Sequence, residues 1–211
     1  MKHLKMLGLA LAAAAAVMAF IGAASASATV ICENNQTFVC TSKQSVGTIH
    51  SFSLVKESTG TLVTTGGNLE MTCSGSTVQS ELVNAGSATT TPVTQFKSAG
   101  LAWSGCTNTV KSITGGEGEV HNVSGTDNGT GTLKGIAVTT LVGGLDCAYG
   151  AGTGIDLGVF KPGVEGKDGI INLNIVIQRN SEHSSPFCAQ DMRYLASYTQ
   201  TTTTPIYIAA S

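Results

Sequence analysis

Charge is scarce in this sequence of 211 residues, because Lys, Arg, Asp and Glu together make up only 11% of it. Arginine occurs twice, as Arg179 and Arg193, and the formal net charge is −2. Proteins that bind nucleic acid carry clustered lysines and arginines that neutralise phosphates. The composition therefore excludes electrostatic recognition of nucleic acid and disfavours an anionic membrane surface as a partner.

Catalytic and cofactor motifs are also lacking. The sequence has no G-x-S-x-G and no C-x-x-C, and no local motif joins His50, His121 or His183 to a serine and an acid. Triads are assembled in space, so a hydrolase stays open without positive support. We expect a protein that is not an enzyme and that has no cofactor.

Residues that favour helices are few beyond residue 28, whereas threonine and glycine are abundant. Apolar residues recur with a period of two, most clearly at Ile171, Leu173, Ile175 and Ile177. Such alternation places one set of side chains on a buried sheet face. Gly-, Asn- and Ser-rich breaks separate the runs, including Asp127-Asn128-Gly129 and Gly150 to Gly154, which we interpret as hairpin turns. The fold class predicted is all-β, an antiparallel β-sandwich or barrel-like domain stabilised by disulfides and preceded by a helical signal peptide.

The first 28 residues read as an export signal. Lys2 and Lys5 precede an apolar stretch, and Ala26-Ser27-Ala28 matches the small-x-small pattern that signal peptidase cleaves. An uncleaved transmembrane anchor is the alternative. We expect residues 1–28 to be removed and 29–211 to form a single secreted domain, extracellular or associated with the cell envelope. Losing Lys2 and Lys5 changes the formal charge to −2 − 2 = −4.

All six cysteines lie beyond the expected cleavage site, and an even number in an exported chain predicts disulfides. Six cysteines allow fifteen pairings, which the sequence does not distinguish. We favour pairing between neighbours, with each closure contributing roughly 2.5 to 4 kcal/mol. The favoured pairs are Cys32 with Cys40, Cys73 with Cys106, and Cys147 with Cys188.

Glu117, Glu119 and His121 alternate and would share one face of a strand. Two carboxylates and an imidazole can bind zinc or calcium, or act as acid and base. The simpler interpretation, which we favour, is the solvent face of a strand with Gly118 and Val120 turned inward. The few aromatic residues, such as Trp103, Phe96 and Tyr198, fall in alternating runs and are expected in the core.

Several short segments resemble those of small secreted proteins that recur in soil actinobacteria, a group without an established activity. The resemblance spans the chain but implies only a scaffold, and no functional residues follow from it. The segments are Met1 to Leu11, Thr72 to Val78, Ser104 to Thr107, Gly125 to Gly129, Cys147 to Gly150 and Ala196 to Tyr207.

We expect a non-enzymatic binding or structural module that is extracellular or associated with the cell envelope. Its expected partner is a cell-wall glycan or another envelope protein. After signal cleavage we expect no insertion into the membrane. One alternative is a carbohydrate-binding module that uses Trp103 or Tyr149 in loops near the Gly150 hairpin. A second is a secreted hydrolase or metal-dependent enzyme built around Glu119 and His121. A third is self-association through an exposed strand edge between Thr199 and Ala209.

Overall fold

A computed structural model describes residues 29–33, 40, 42–123, 129–150, 155–161, 169–202 and 206–210. The expected signal peptide (1–28) lies outside these residues, as do Asp127, Asn128 and positions 151–154 of the expected turns. No helix in the described part of the chain is long and apolar enough to cross a membrane.

The described residues form antiparallel strands, which confirms the predicted fold class. In chain order the strands are β1 (Thr29–Cys32), β2 (Ile49–Leu54), β3 (Gly60–Thr64), β4 (Leu69–Asn84), β5 (Val93–Cys106), β6 (Thr109–Thr114), β7 (Gly116–Asn122), β8 (Gly129–Lys134), β9 (Ala137–Val142), β10 (Leu145–Gly150), β11 (Ile155–Lys161), β12 (Ile170–Arg179), β13 (Asp191–Gln200) and β14 (Tyr207–Ala210).

The main sheet closes on itself as a barrel. From β4 the pairing runs through β5, β7, β8, β11 and β12 to β13. The circuit is completed by β2 and β3, which lie end to end between β13 and β4 and pair with both. Strand β4 pairs with β3 near Cys73 and with β2 near Val78. Of the two architectures that the sequence allows, the structure therefore has the barrel. A barrel of about eight strand positions has an interior just wide enough for side chains or for one small ligand.

Alternation along the strands determines what faces the interior. In β12, Ile175 and Ile177 are buried, while Val176 between them and Gln178 after them are exposed. In β13 the buried residues recur at every second position from Met192 to Gln200. The pleat of the strand explains this pattern, because successive side chains point to opposite faces.

A two-stranded ribbon, β1 with β14, covers one end of the barrel. The Ile31 amide donates to the Ala85 carbonyl over 2.9 Å, and Val30 forms a bridge with Gly86, just beyond the end of β4. Gly86 has φ +84°, and a Cβ there would lie 2.1 Å from the Thr29 carbonyl oxygen. Only glycine allows the ribbon to approach this closely.

A three-stranded flap made of β6, β9 and β10 lies toward the other end. Strand β6 follows Cys106 at the end of β5, and Cys106 pairs with Cys73 near the start of β4. The flap joins the barrel through a short β10–β12 ladder of two pairs, Tyr149 with Arg179 and Gly150 with Gln178. The ribbon and the flap therefore cover opposite ends of the same interior.

Three disulfides join neighbours along the chain: Cys32–Cys40, Cys73–Cys106 and Cys147–Cys188. The first fixes the ribbon, the second links β4 to β5, and the third ties the flap to the segment before β13. Disulfides of this kind persist in oxidising compartments. The scaffold is accordingly suited to an extracellular setting.

Candidate ligand cavity

The barrel interior contains a partly open cavity of about 170 Å³. Its wall comprises inward residues of the barrel strands, closed by Ile31 and Ile208 of the ribbon and by Val138 and Tyr149 of the flap. The side chains that surround it are overwhelmingly aliphatic or aromatic. Small-molecule sites are typically concave and mostly apolar, with a few polar groups that fix orientation.

Two glycines lie in the part of the wall formed by β7 and β8. Gly118 of β7 and Gly131 of β8 both line the cavity. A Cβ on Gly118 would lie 2.8 Å from the Phe96 ring, which packs directly over this glycine. Ile175 and Ile177 of β12 also line the cavity. The glycine at position 118 thus makes room for the Phe96 ring within the wall.

Aromatic side chains form the wall toward the flap. The rings of Trp103 and Tyr194 are 5.0 Å apart between centroids and tilted by 31°. Tyr149 is 3% exposed and belongs to β10. The expectation that Trp103 or Tyr149 lies in a loop is wrong, because both are strand residues whose side chains line the interior. Neither therefore offers an exposed platform for sugar stacking.

Three hydroxyls form a buried chain beside this aromatic wall. The Tyr198 oxygen lies 2.7 Å from the Ser76 hydroxyl and 2.7 Å from that of Tyr194. Burial is the main cause that raises the pKa of both tyrosines, and the neighbouring Tyr198 raises that of Tyr194 further. Both phenols therefore remain neutral at physiological pH and act as hydrogen-bonding groups.

His50 is the polar residue of the wall toward the ribbon. It lies on β2, directly opposite Ser80 of β4, and it is 1% exposed. Neither Nδ1 nor Nε2 has a hydrogen-bond partner among the described residues. Burial lowers the pKa of His50 to about 4, so the imidazole is neutral near pH 7.

Strand β7 presents Glu117, Glu119 and His121 toward solvent, as expected, although Glu119 also borders the cavity. Gly118 between them is buried, whereas the carboxylates of Glu117 and Glu119 are more than half exposed. The His121 Nε2 is 3.9 Å from the Glu119 carboxylate, and the Glu117 carboxylate is 3.9 Å from the Lys134 ammonium. Within the described residues, no three His, Cys, Asp or Glu side chains are grouped as metal ligands would be.

The segment from Thr199 to Ala209 is not one continuous exposed edge. Thr199 pairs with Ser53 of β2 on one side and with Ile170 of β12 on the other. Strand β14 pairs with β1 along one side. Self-association through this segment would therefore depend on the other side of β14.

His50 is the site residue that the sequence analysis missed. The signal was present in Ile49-His50-Ser51-Phe52, since alternation places His50 on the same face as Phe52. Phe52 is buried, and His50 follows it into the interior. The pattern could have indicated an inward histidine, although not that its nitrogens are without partners.

The chain matches no protein-family model, no curated protein and no solved structure. The geometry of the barrel therefore provides the basis for a proposed function.

Proposed function

We propose that this protein is a secreted, non-enzymatic binding protein that holds one small apolar molecule inside its barrel. The observation that carries the proposal is the apolar cavity between the ribbon and the flap. Among the described lining residues, the polar groups are hydroxyls, the neutral imidazole of His50 and the largely exposed carboxylate of Glu119. Such a site favours binding over bond cleavage.

The volume sets the scale of the ligand. A dry cavity of about 150 Å³ lined by Leu, Ile and Phe side chains holds benzene, and the cavity of this barrel is about 170 Å³. A molecule of that size buries about 200 Å² of apolar surface, which is worth about 5 kcal/mol. The corresponding dissociation constant is on the order of 0.1 to 1 mM for apolar contact alone.

The compartment proposed is the extracellular space or the cell envelope. The apolar leader that ends in Ala26-Ser27-Ala28 and the three disulfides support export. The resemblance to secreted proteins of soil actinobacteria suggests a bacterial setting. The ribbon and the flap cover the two ends of the barrel, and disulfides hold both in place. Such a barrel would retain a ligand outside the cell, where small apolar molecules dilute rapidly.

Fluorescence of Trp103, the single tryptophan, reports binding directly because its ring lies in the cavity wall. Titration of the oxidised protein with ethylbenzene should change the emission with saturation. Val78→Phe should abolish the change, since Val78 lines the cavity and a larger ring would occupy it. Val83→Phe is the matched control on the same strand, because Val83 is 49% exposed. An unsaturable change, or identical titrations for the two variants, would refute the proposal.

A second candidate function, glycan recognition, rests on a groove on the outer surface. The groove has a volume of about 490 Å³ between the β2–β3 connection and strands β4 and β5, and serine and threonine residues form much of its wall. Ser53, Ser58, Ser74 and Ser104 are among them. This function would be supported if the protein were retained saturably on purified cell wall. A soluble sugar should compete with that retention, and Ser104→Leu should weaken it. Retention that Ser104→Leu leaves unchanged would argue against the groove.

A further inference from the structure

His50 is positioned at the boundary between the cavity and the barrel wall. Its strand, β2, pairs with β4 so that His50 is directly opposite Ser80, and both residues line the cavity. Ser80 in turn pairs with Phe96 of β5, on whose strand Thr94 also reaches the cavity. The wall toward the ribbon thus combines an imidazole with two hydroxyl side chains on three neighbouring strands.

The hydrogen-bonding capacity of His50 is unmet in the described part of the protein. The side chain is 1% exposed, and neither ring nitrogen has a partner there. Buried polar groups in native proteins almost always have partners, because leaving them unpaired is unfavourable. An unpaired imidazole that lines a cavity can complete its hydrogen bonding through a polar group of a molecule bound there.

The charge of the ligand follows from the surroundings of His50. The pKa of His50 is lowered by burial alone, and no charged neighbour contributes to the shift. Glu119 is the one charged residue among the described lining residues, and its carboxylate is 55% exposed. A buried charge requires a partner of opposite charge. The described lining residues offer no buried charge, since the one carboxylate among them, that of Glu119, lies largely in solvent, so the ligand is neutral.

The chemical group on the ligand follows from the neutral imidazole. That ring has one donor nitrogen and one acceptor nitrogen, and either can meet a hydroxyl, whereas only the donor can meet a carbonyl. The rest of the wall requires apolar surface. The cavity of about 170 Å³ limits the whole molecule to about seven or eight non-hydrogen atoms, given that benzene, with six, fits in about 150 Å³.

We propose that His50 is the hydrogen-bonding anchor of the cavity, and that its ligand is a neutral molecule of about monocyclic size carrying one hydroxyl or carbonyl group. The inference rests on the proposed function, because it requires that the cavity binds small molecules. Ser80, opposite His50, supplies a second hydroxyl toward the same group.

The test compares ligands of equal size that differ in one group. Ethylbenzene and benzyl alcohol differ by the replacement of a methyl by a hydroxyl, and benzylamine replaces it by a cation. Dissociation constants of all three are measured for the wild type, for His50→Phe and for His183→Phe, a control at an exposed histidine. The ratio of the constants for benzyl alcohol and ethylbenzene isolates the contribution of the hydroxyl from that of the ring.

In His50→Phe this ratio should rise about tenfold above its wild-type value, because the hydroxyl loses its partner inside an apolar wall. His183→Phe should leave the ratio unchanged, and benzylamine should bind none of the three proteins measurably. If His50→Phe does not fold, the imidazole ¹⁵N shifts of the wild type serve instead: benzyl alcohol should move those of His50 more than ethylbenzene does.

The role of His50 would be overturned if the ratio of the dissociation constants were equal in the wild type and His50→Phe. It would also be overturned if benzyl alcohol and ethylbenzene changed the imidazole ¹⁵N shifts of His50 alike. Either result would leave the binding function intact. Binding of none of the neutral ligands to the wild type would overturn the proposed function, and the anchor with it. Tight binding of benzylamine would contradict the neutral character of the site.

Discussion

The buried histidine makes the stability of the protein depend on pH in a way that can be isolated by mutation. His50 has a folded-state pKa of about 4 because burial disfavours its charged form. In the unfolded chain its pKa returns to about 6.5. Between these two values the unfolded state binds a proton that the folded state does not. Stability therefore falls as the pH is lowered from about 6.5, and the loss levels off below about 4.

The magnitude follows from the two pKa values. Lowering the pH from 7.5 to 4.5 should cost about 2.5 kcal/mol of unfolding free energy through His50 alone. For a domain of this size that corresponds to a fall in melting temperature of roughly 5 to 10 °C. Carboxylates elsewhere also titrate in this range, so the wild type alone cannot identify the contribution of His50.

The assay is urea denaturation at several pH values for the wild type, His50→Phe and the exposed control His183→Phe. The wild type and the control should each lose about 2.5 kcal/mol more than His50→Phe between pH 7.5 and 4.5. The comparison uses the change with pH, so any effect of phenylalanine on stability at neutral pH cancels. Parallel pH profiles for the wild type and His50→Phe would refute the reasoning.

Further predictions concern the scaffold. Tyr198→Phe removes the hydroxyl that lies between those of Ser76 and Tyr194, and it should lower the unfolding free energy by about 1 to 3 kcal/mol in urea denaturation; no measurable change would contradict the hydroxyl chain. Gly86→Ala should lower the melting temperature, because the new Cβ would meet the Thr29 carbonyl at 2.1 Å and φ is positive; an unchanged melt would argue against the ribbon contact. Full reduction of the disulfides, verified by thiol counting, should lower the melting temperature sharply, since each closure is worth roughly 2.5 to 4 kcal/mol; an equal melt with and without reductant would contradict the importance of the bridges.

The sequence predicts the all-β class, and it predicts which side chains of a strand point into the interior, because both are local properties. Alternation at Ile171, Leu173, Ile175 and Ile177 correctly indicated an inward row, since the strand pleat has a period of two. The three disulfides join the pairs that the sequence favoured. The sequence itself does not distinguish the fifteen possible pairings, so the connectivity follows from the structure and not from the pattern.

Closure of the barrel could not be predicted, because it depends on pairings between distant segments. The contact between Ser76 and Tyr198 joins residues 122 positions apart, and no local pattern reports it. The expectation that Trp103 packs in the core is confirmed, whereas the loop position that the carbohydrate-binding alternative gave to Trp103 or Tyr149 is wrong, because both are strand residues that line the interior. Gly118 and Gly131 both line the cavity although they are not cross-strand partners, since Gly118 pairs with Leu133 and Gly131 with Val120, and only the register reveals this arrangement.

The central claim is that the barrel interior holds a small neutral apolar molecule, and a crystal structure of the oxidised protein soaked with benzyl alcohol tests it most directly. The account predicts electron density for one ring inside the barrel beside Trp103 and Val78, with its oxygen within hydrogen-bond distance of His50. A barrel whose interior is filled by its own side chains, or a ligand seen only on the outer surface, would contradict the account.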